Sequence, residues 1–197
     1  MTDKMIARMN RRTIRKFNRA KEKMELAKFD ELNVLRTVRG LYEDLDDDFR
    51  AIMLSLIYEV YKENSRYGKM SSFGAEELLL WILSEPNPVT GYSYTAEVWR
   101  KRDYLVESLE ASDRHDAAIR KAMSYWARMT AQYADIFTEN AMLKAFEDAG
   151  IRRVRWHTRD DERVCKACNK RHGRIYPINR IPVRPHWGCR CWWEPVT

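Results

Sequence analysis

The stretch Trp156–Glu194, WHTRDDERVCKACNKRHGRIYPINRIPVRPHWGCRCWWE, holds all 4 cysteines of the chain. Cys165 and Cys168 form a C-x-x-C, Cys189 and Cys191 a C-x-C, and twenty residues separate the two pairs. His186 lies three residues before Cys189. Two thiol pairs, each offered by a tight turn, are the ligand pattern of a tetrahedral zinc site in which the metal ties the turns together. Arg163, Lys166, Lys170 and Arg190 surround the pairs, and nearby cations favour the deprotonated ligand form. Apolar residues are few and scattered here, so burial alone would hold so small a domain poorly. A metal bound by the folded state supplies folding free energy directly. Two disulfides, or four unrelated thiols, are the competing readings. A C-x-C is cramped, which leaves His186 as a replacement for Cys189 or Cys191. His186 can equally pack on Trp187 or Trp192, or orient a ligand from outside the coordination shell.

The same stretch carries a family resemblance. Trp156, Thr158, Asp160, Asp161 and Val164 lead into Cys165 and Cys168; H-G-R-I-Y-P follows at His172–Pro177, with Gly173 in it. Pro182, Pro185 and His186 then lead to Cys189, Arg190 and Cys191. In this order the residues resemble the C-terminal domain of the Mu F-like minor head proteins, a family of tailed-phage head morphogenesis proteins. The likeness begins at EDAGIRRVRW, Glu147–Trp156, and covers the C-terminal part of the chain; the upstream helices fit it loosely. It implies a minor head protein carried in few copies at the portal vertex and capsid interior, acting in head assembly or DNA ejection. The implied partners are the portal protein, the capsid interior or scaffold, and packaged double-stranded DNA, with no membrane in the assembled head. The implied location is the virion, and the host cytoplasm during assembly. Metal binding rests on the four thiols themselves.

Outward from this stretch, 197 residues suit one domain or two small ones. The formal net charge of +7 favours an anionic partner, nucleic acid being the usual one. No apolar run approaches the ~20 residues needed to cross a bilayer. The N-terminus is charged throughout and lacks the apolar region of a secretory signal, so a reducing cytosol is expected, which favours metal over disulfide. With 7 tryptophans and 10 tyrosines, some aromatics are expected at interfaces.

Residues 1–28 read as a basic helix or arm. Ile6, Met9, Ile14, Phe17, Met24 and Leu26 are loosely helical in spacing, and Arg8, Arg11, Arg12, Arg15, Lys16 and Arg19 lie between them. Such an arm suits phosphate neutralisation, or docking on an acidic protein surface, or simple solvation. Without a glycine-rich phosphate loop or base-reading motif, any DNA contact is expected to be sequence-blind. Residues 29–150 read as a helical body. Leu32, Leu35, Val38, Leu41 and Tyr42 form one stripe. The acidic cluster Asp44, Asp46, Asp47 and Asp48 lacks the spacing of a calcium loop and reads as a new helix start. Phe49, Ile52, Met53, Leu56, Ile57, Val60 and Tyr61 form the cleanest stripe. Lys69–Phe73 reads as a loop between Gly68 and Gly74, and LLLWIL after Glu77 as a buried helix. Pro86, Asn87, Pro88 and Gly91 break the chain. Thr95 is expected to cap the next helix and Ser112 the long one after it, with His115 exposed in its first turn and Gly150 at its end.

From Ile151 the period changes. Val154 and Trp156 alternate with Arg153, Arg155 and His157 as in a strand; Arg174, Ile175 and Tyr176 suggest a second; Trp192 and Trp193 are expected to cover the metal site. The overall expectation is a mainly α chain, its helical N-terminal body followed by a small α+β domain, residues 151–197, stapled by a zinc knuckle pair. Catalysis is not expected. Asp160, Asp161 and Glu162 lie near His157 and His172, but four thiolates close a metal's coordination sphere, and the acidic trio is expected to pair with Arg163 and Arg190. The alternative function is a zinc-ribbon module binding nucleic acid without sequence specificity, through Arg152, Arg153, Arg155, Lys170, Arg171 and Arg174.

Overall fold

The computed structural model describes residues 2–65, 70–87, 90–159, 161–186 and 189–196. The fold is mainly α, with a small C-terminal sheet. Sequence readings on Gly68, Lys69, Pro88, Asp160 and Trp187 lie outside the described residues.

Helix α1, Thr2–Leu26, does not stand off as an arm. Met9, Thr13, Phe17, Ala20 and Met24 recur at three- and four-residue steps and are buried in the main core. The stripe is only partly legible in the sequence because it runs through the polar Thr13 and the small Ala20, while the larger Ile14 and Leu26 are exposed.

Helix α2, Glu31–Asn64, runs without a break through the acidic cluster. Asp48 is paired with Arg12 (3.4 Å) and Lys16 (2.9 Å) of α1, and Asp46 with Arg50 (2.8 Å). These cations offset the repulsion that would favour a helix start, and buried Leu45 and Phe49 carry one stripe across it. The first stripe is shifted from expectation: Val34, Val38, Leu41 and Tyr42 face the core, whereas Leu32 and Leu35 are exposed. Asp30 caps the helix, its carboxylate accepting from Asn33 N–H at 3.1 Å.

Helices α3 (Ser72–Ser84) and α4 (Tyr94–Glu110) start at Ser71 and Ser93, whose hydroxyls accept from Gly74 and Ala96 N–H. The α4 cap is therefore Ser93 rather than Thr95. LLLWIL is only half buried: Leu79, Ile82 and Leu83 pack inward while Leu80 and Trp81 face out. Glu97 of α4 is buried, bound by Arg100 at 2.8 Å and by the Tyr125 hydroxyl.

Helix α5, His115–Asp148, spans 34 residues, about 50 Å. Ser112 does not cap it; the cap position is Arg114. His115 is half-buried rather than exposed: its ring stacks on Phe29 at 3.6 Å and ties the α1–α2 turn to α5. Ile119, Trp126, Met129, Tyr133 and Phe137 pack in the body; farther along the same helix, Leu143 and Phe146 pack in a second core with Ile151, Val154, Trp156 and Trp193. A single helix thus serves both cores. Gly150 (φ +79°) ends it, and Ile151 N–H bonds back to the Phe146 carbonyl at 2.9 Å.

The sheet has order β2-β1-β3, with β1 (Arg153–His157) between β2 (Ile175–Pro177) and β3 (Trp192–Val196), both antiparallel to it. Trp192–Val196 is a strand, and of the two tryptophans expected to cover the cysteines, Trp193 packs in their core whereas Trp192 does not. Trp156 and Trp193 are cross-strand partners, buried and edge-to-face at 4.8 Å, while Trp192 faces outward against His157. Pro195 is accommodated because β3 is an edge strand.

Candidate metal centre

The first knuckle is a four-residue helix, α6, Lys166–Asn169. Cys165 is its cap residue, and its Sγ accepts from Cys168 N–H at 3.3 Å. Backbone N–H groups aimed at a sulfur stabilise its anion: Cys168 N–H foremost, against a smaller burial effect, holds the Cys165 thiol down at about 7. Burial acts the other way on Cys168 and pushes its thiol up. The second pair arrives on an extended path after Pro182 and Pro185, immediately before β3. Burial would raise Cys189, but it is outweighed by Cys191 N–H, the neighbouring sulfurs and Arg184, and its pKa is lowered.

The pairs converge. Cys168 Sγ lies 3.5 Å from Cys189 Sγ and 3.5 Å from His186 Nε2. The donor atoms of Cys165, Cys168 and His186 lie within 4.8 Å of one another, as do those of Cys168, Cys189 and Cys191. Cys168 belongs to both groups, and all four sulfurs are free thiols. Thiolates about 2.3 Å from a tetrahedral ion stand roughly 3.8 Å apart; the Cys168–Cys189 spacing is near this, while Cys165 groups with Cys168 and His186 rather than with Cys189 and Cys191. Four cysteines positioned to hold a metal ion are thus a property of the fold. His186 sits beside Cys168 as the fifth donor; its expected partner Trp187 is outside the described residues.

One cation that reaches the cysteines, and that no motif announces, is Arg184. Its Nη1 donates to the carbonyls of Cys189 (2.6 Å) and Cys191 (3.0 Å), while Nε donates to Glu139 of α5 at 2.7 Å. The other oxygen of Glu139 accepts from Trp193 Nε1 at 2.6 Å. One carboxylate on the long helix therefore fixes both the second knuckle and the core tryptophan of β3. Neither residue is marked in the sequence, because each gains its role from a partner 45 or 54 positions away.

The other charged candidates form structural pairs. Arg190 forks onto Asp161 with two bonds of 2.6 Å, as expected, and holds its carboxyl below the usual range; Arg163 contributes its backbone N–H rather than its guanidinium. His157 meets Glu194 at 2.9 Å, and His172 Nδ1 lies 2.9 Å from the Thr158 hydroxyl and 3.2 Å from Thr158 N.

The basic residues of α1 divide. Arg12 and Lys16 turn toward Asp48. Arg8, Arg11, Arg15 and Arg19 are exposed, lie on one helical line of about 16 Å, and make no ion pair among the described residues. No helix among the described residues is long and apolar enough to cross a membrane.

No family model, curated protein or solved structure matches this chain. Function has to be argued from the residues and their arrangement.

Proposed function

We propose that this protein is a non-enzymatic minor head protein of a tailed bacteriophage, and that one structural zinc ion, held by Cys165, Cys168, Cys189 and Cys191, clasps its C-terminal domain as a rigid contact module. The observation that carries the reading is the convergence of both cysteine pairs on Cys168 within the stretch that resembles the Mu F-like domain. Thiolate donors suit zinc, and four of them leave no open position for a substrate, which favours a stapling role over a hydrolytic one. His186 is then a neighbour of the clasp rather than a ligand.

The rest of the molecule is consistent with work inside a DNA-filled head. The outward line Arg8, Arg11, Arg15 and Arg19 suits phosphates contacted without regard to sequence, and the exposed apolar residues of α3 and α4, Leu80, Trp81 and Trp99, suit protein contacts. Portal protein and the capsid interior or scaffold are the partners this reading calls for.

Co-expression with the portal protein that this reading calls for tests it, together with mass spectrometry of purified heads. Co-purification with the portal and a few copies per head are expected. Heads that assemble without the protein, and a portal that ignores it, would remove the assignment. The second reading, a sequence-independent nucleic-acid module, is favoured by the four unpaired arginines. It calls for strongly salt-dependent DNA binding with no portal or capsid contact.

A further inference from the structure

A groove of about 600 Å³ lies between α5 and the segment of residues 181–186. Ile136, Leu143, Ile181 and Pro182 give it an apolar lining, and Trp81 of α3 joins it. Trp81 is 50% exposed, Leu80 beside it 60%, and Val183 on the facing segment 71%. Large apolar side chains left open on two separate elements around one groove mark an interaction surface.

The groove also carries a charge opposite to that of the chain. The whole protein has a formal net charge of +7, yet the groove holds the carboxylates of Glu85, Asp135 and Glu139. Arg184 is the one guanidinium among the described lining residues, and it is committed to Glu139 and to the carbonyls of Cys189 and Cys191. Glu85 and Asp135 make no ion pair among the described residues, and Glu76 and Glu77 flank the open Leu80 and Trp81. Asp135 is open to solvent on one side, but the groove walls hold its carboxyl above the ordinary range. A cation delivered into the groove would relieve this; an anion would meet unpaired carboxylates.

We propose that this groove docks a partner protein through a short segment that carries an aliphatic or aromatic anchor next to a lysine or arginine. The anchor covers Ile136, Leu143 and the exposed Trp81, and the cation pairs with Asp135 and Glu85. Charge complementarity selects this occupant. Nucleic acid and acidic segments are repelled, so the groove is separate in its chemistry from the arginine line on α1. The inference depends neither on which metal the cysteines hold nor on the phage assignment.

A random dodecapeptide library panned on the immobilised full-length protein tests it, with Asp135→Asn, Val183→Asp and, as a control on another face, Arg15→Ala. All three positions are exposed, and circular dichroism of each variant checks that the fold is kept. The expected result is enrichment of peptides that place lysine or arginine beside an apolar residue. Their affinity should fall roughly tenfold in Asp135→Asn, be lost in Val183→Asp, and be unchanged in Arg15→Ala. No enrichment, enriched peptides without a cation, or binding indifferent to both groove substitutions would overturn the proposal. So would concentration-dependent self-association in sedimentation that Asp135→Arg abolishes, because the occupant would then be a second copy of this chain.

Discussion

Cys168 joins the two donor groups, so it should be the least replaceable thiol. Cys168→Ser is expected to abolish tight metal binding, whereas His186→Ala should keep it. Cobalt(II) substitution separates the cases: His186→Ala retains the intense absorption of a tetrahedral thiolate complex and Cys168→Ser loses it. If His186→Ala instead loses it, the histidine is a ligand. Glu139 makes a second prediction. Its removal strands the largely covered Arg184 and leaves Trp193 Nε1 without its acceptor. Glu139→Ala should cost about 3 kcal/mol in a denaturant titration, and Glu139→Gln, whose single oxygen can accept only one of the two hydrogen bonds while its NH2 faces the other donor, should recover only part of that. A Glu139→Ala variant as stable as the parent would mean that the latch carries no weight. The cysteines are legible in the sequence because ligand spacing is a local property. Glu139 and Arg184 are not, since their meaning is tertiary: an ordinary glutamate on a helix face and an arginine between prolines become a pair only once the chain has folded back.

Among the elements, α1 reads from its sequence as basic and helical, but not as a core helix, because its buried stripe runs through Thr13 and Ala20. Its packing sorts the basic side chains into two roles. Replacing Arg8, Arg11, Arg15 and Arg19 together by alanine should lower the slope of log affinity for double-stranded DNA against log salt by about 3 to 4 units, near 0.9 for each phosphate no longer neutralised. Arg12→Ala and Lys16→Ala should leave that slope alone and instead weaken the α1–α2 packing around Asp48 modestly, by less than about 1 kcal/mol each. An unchanged slope in the quadruple variant would free α1 of any role with DNA. The run Asp44–Asp48 reads as a helix start because the sequence does not reveal which cations will lie alongside; with Arg12, Lys16 and Arg50 beside it, the helix continues. Strand β3 is hidden for a related reason. W-W-E-P-V lacks the alternation of a half-buried strand and contains proline, and only its pairing with β1 gives Trp193 an inside and Trp192 an outside.

At the scale of the whole molecule, two cores share α5 but differ in what holds them. The body core is deep, with Trp126, Phe49, Phe137, Met53 and Ile57 almost fully buried, and stands on burial. The second core is small, and three of the four cysteines are among its buried residues, so its stability is tied to what the thiols bind. Chelation should therefore unfold the molecule in part. Amides of β1 and β3 should lose their protection in hydrogen exchange while those of α2 and the first half of α5 keep theirs, and far-ultraviolet circular dichroism should fall only slightly. Loss of protection throughout the chain would show one cooperative unit instead. The coarse division into a helical body and a cysteine-bearing appendage is readable from composition and spacing; the shared helix is not, because its apolar period continues unchanged from one core into the next. The most direct test of the whole account is the metal content of the protein purified under reducing conditions. One zinc per chain, released in proportion as the thiols are titrated, is the predicted result. Fewer than ~0.3 metal ions per chain would contradict it, because a site of four converging thiolates binds too tightly to be emptied by purification.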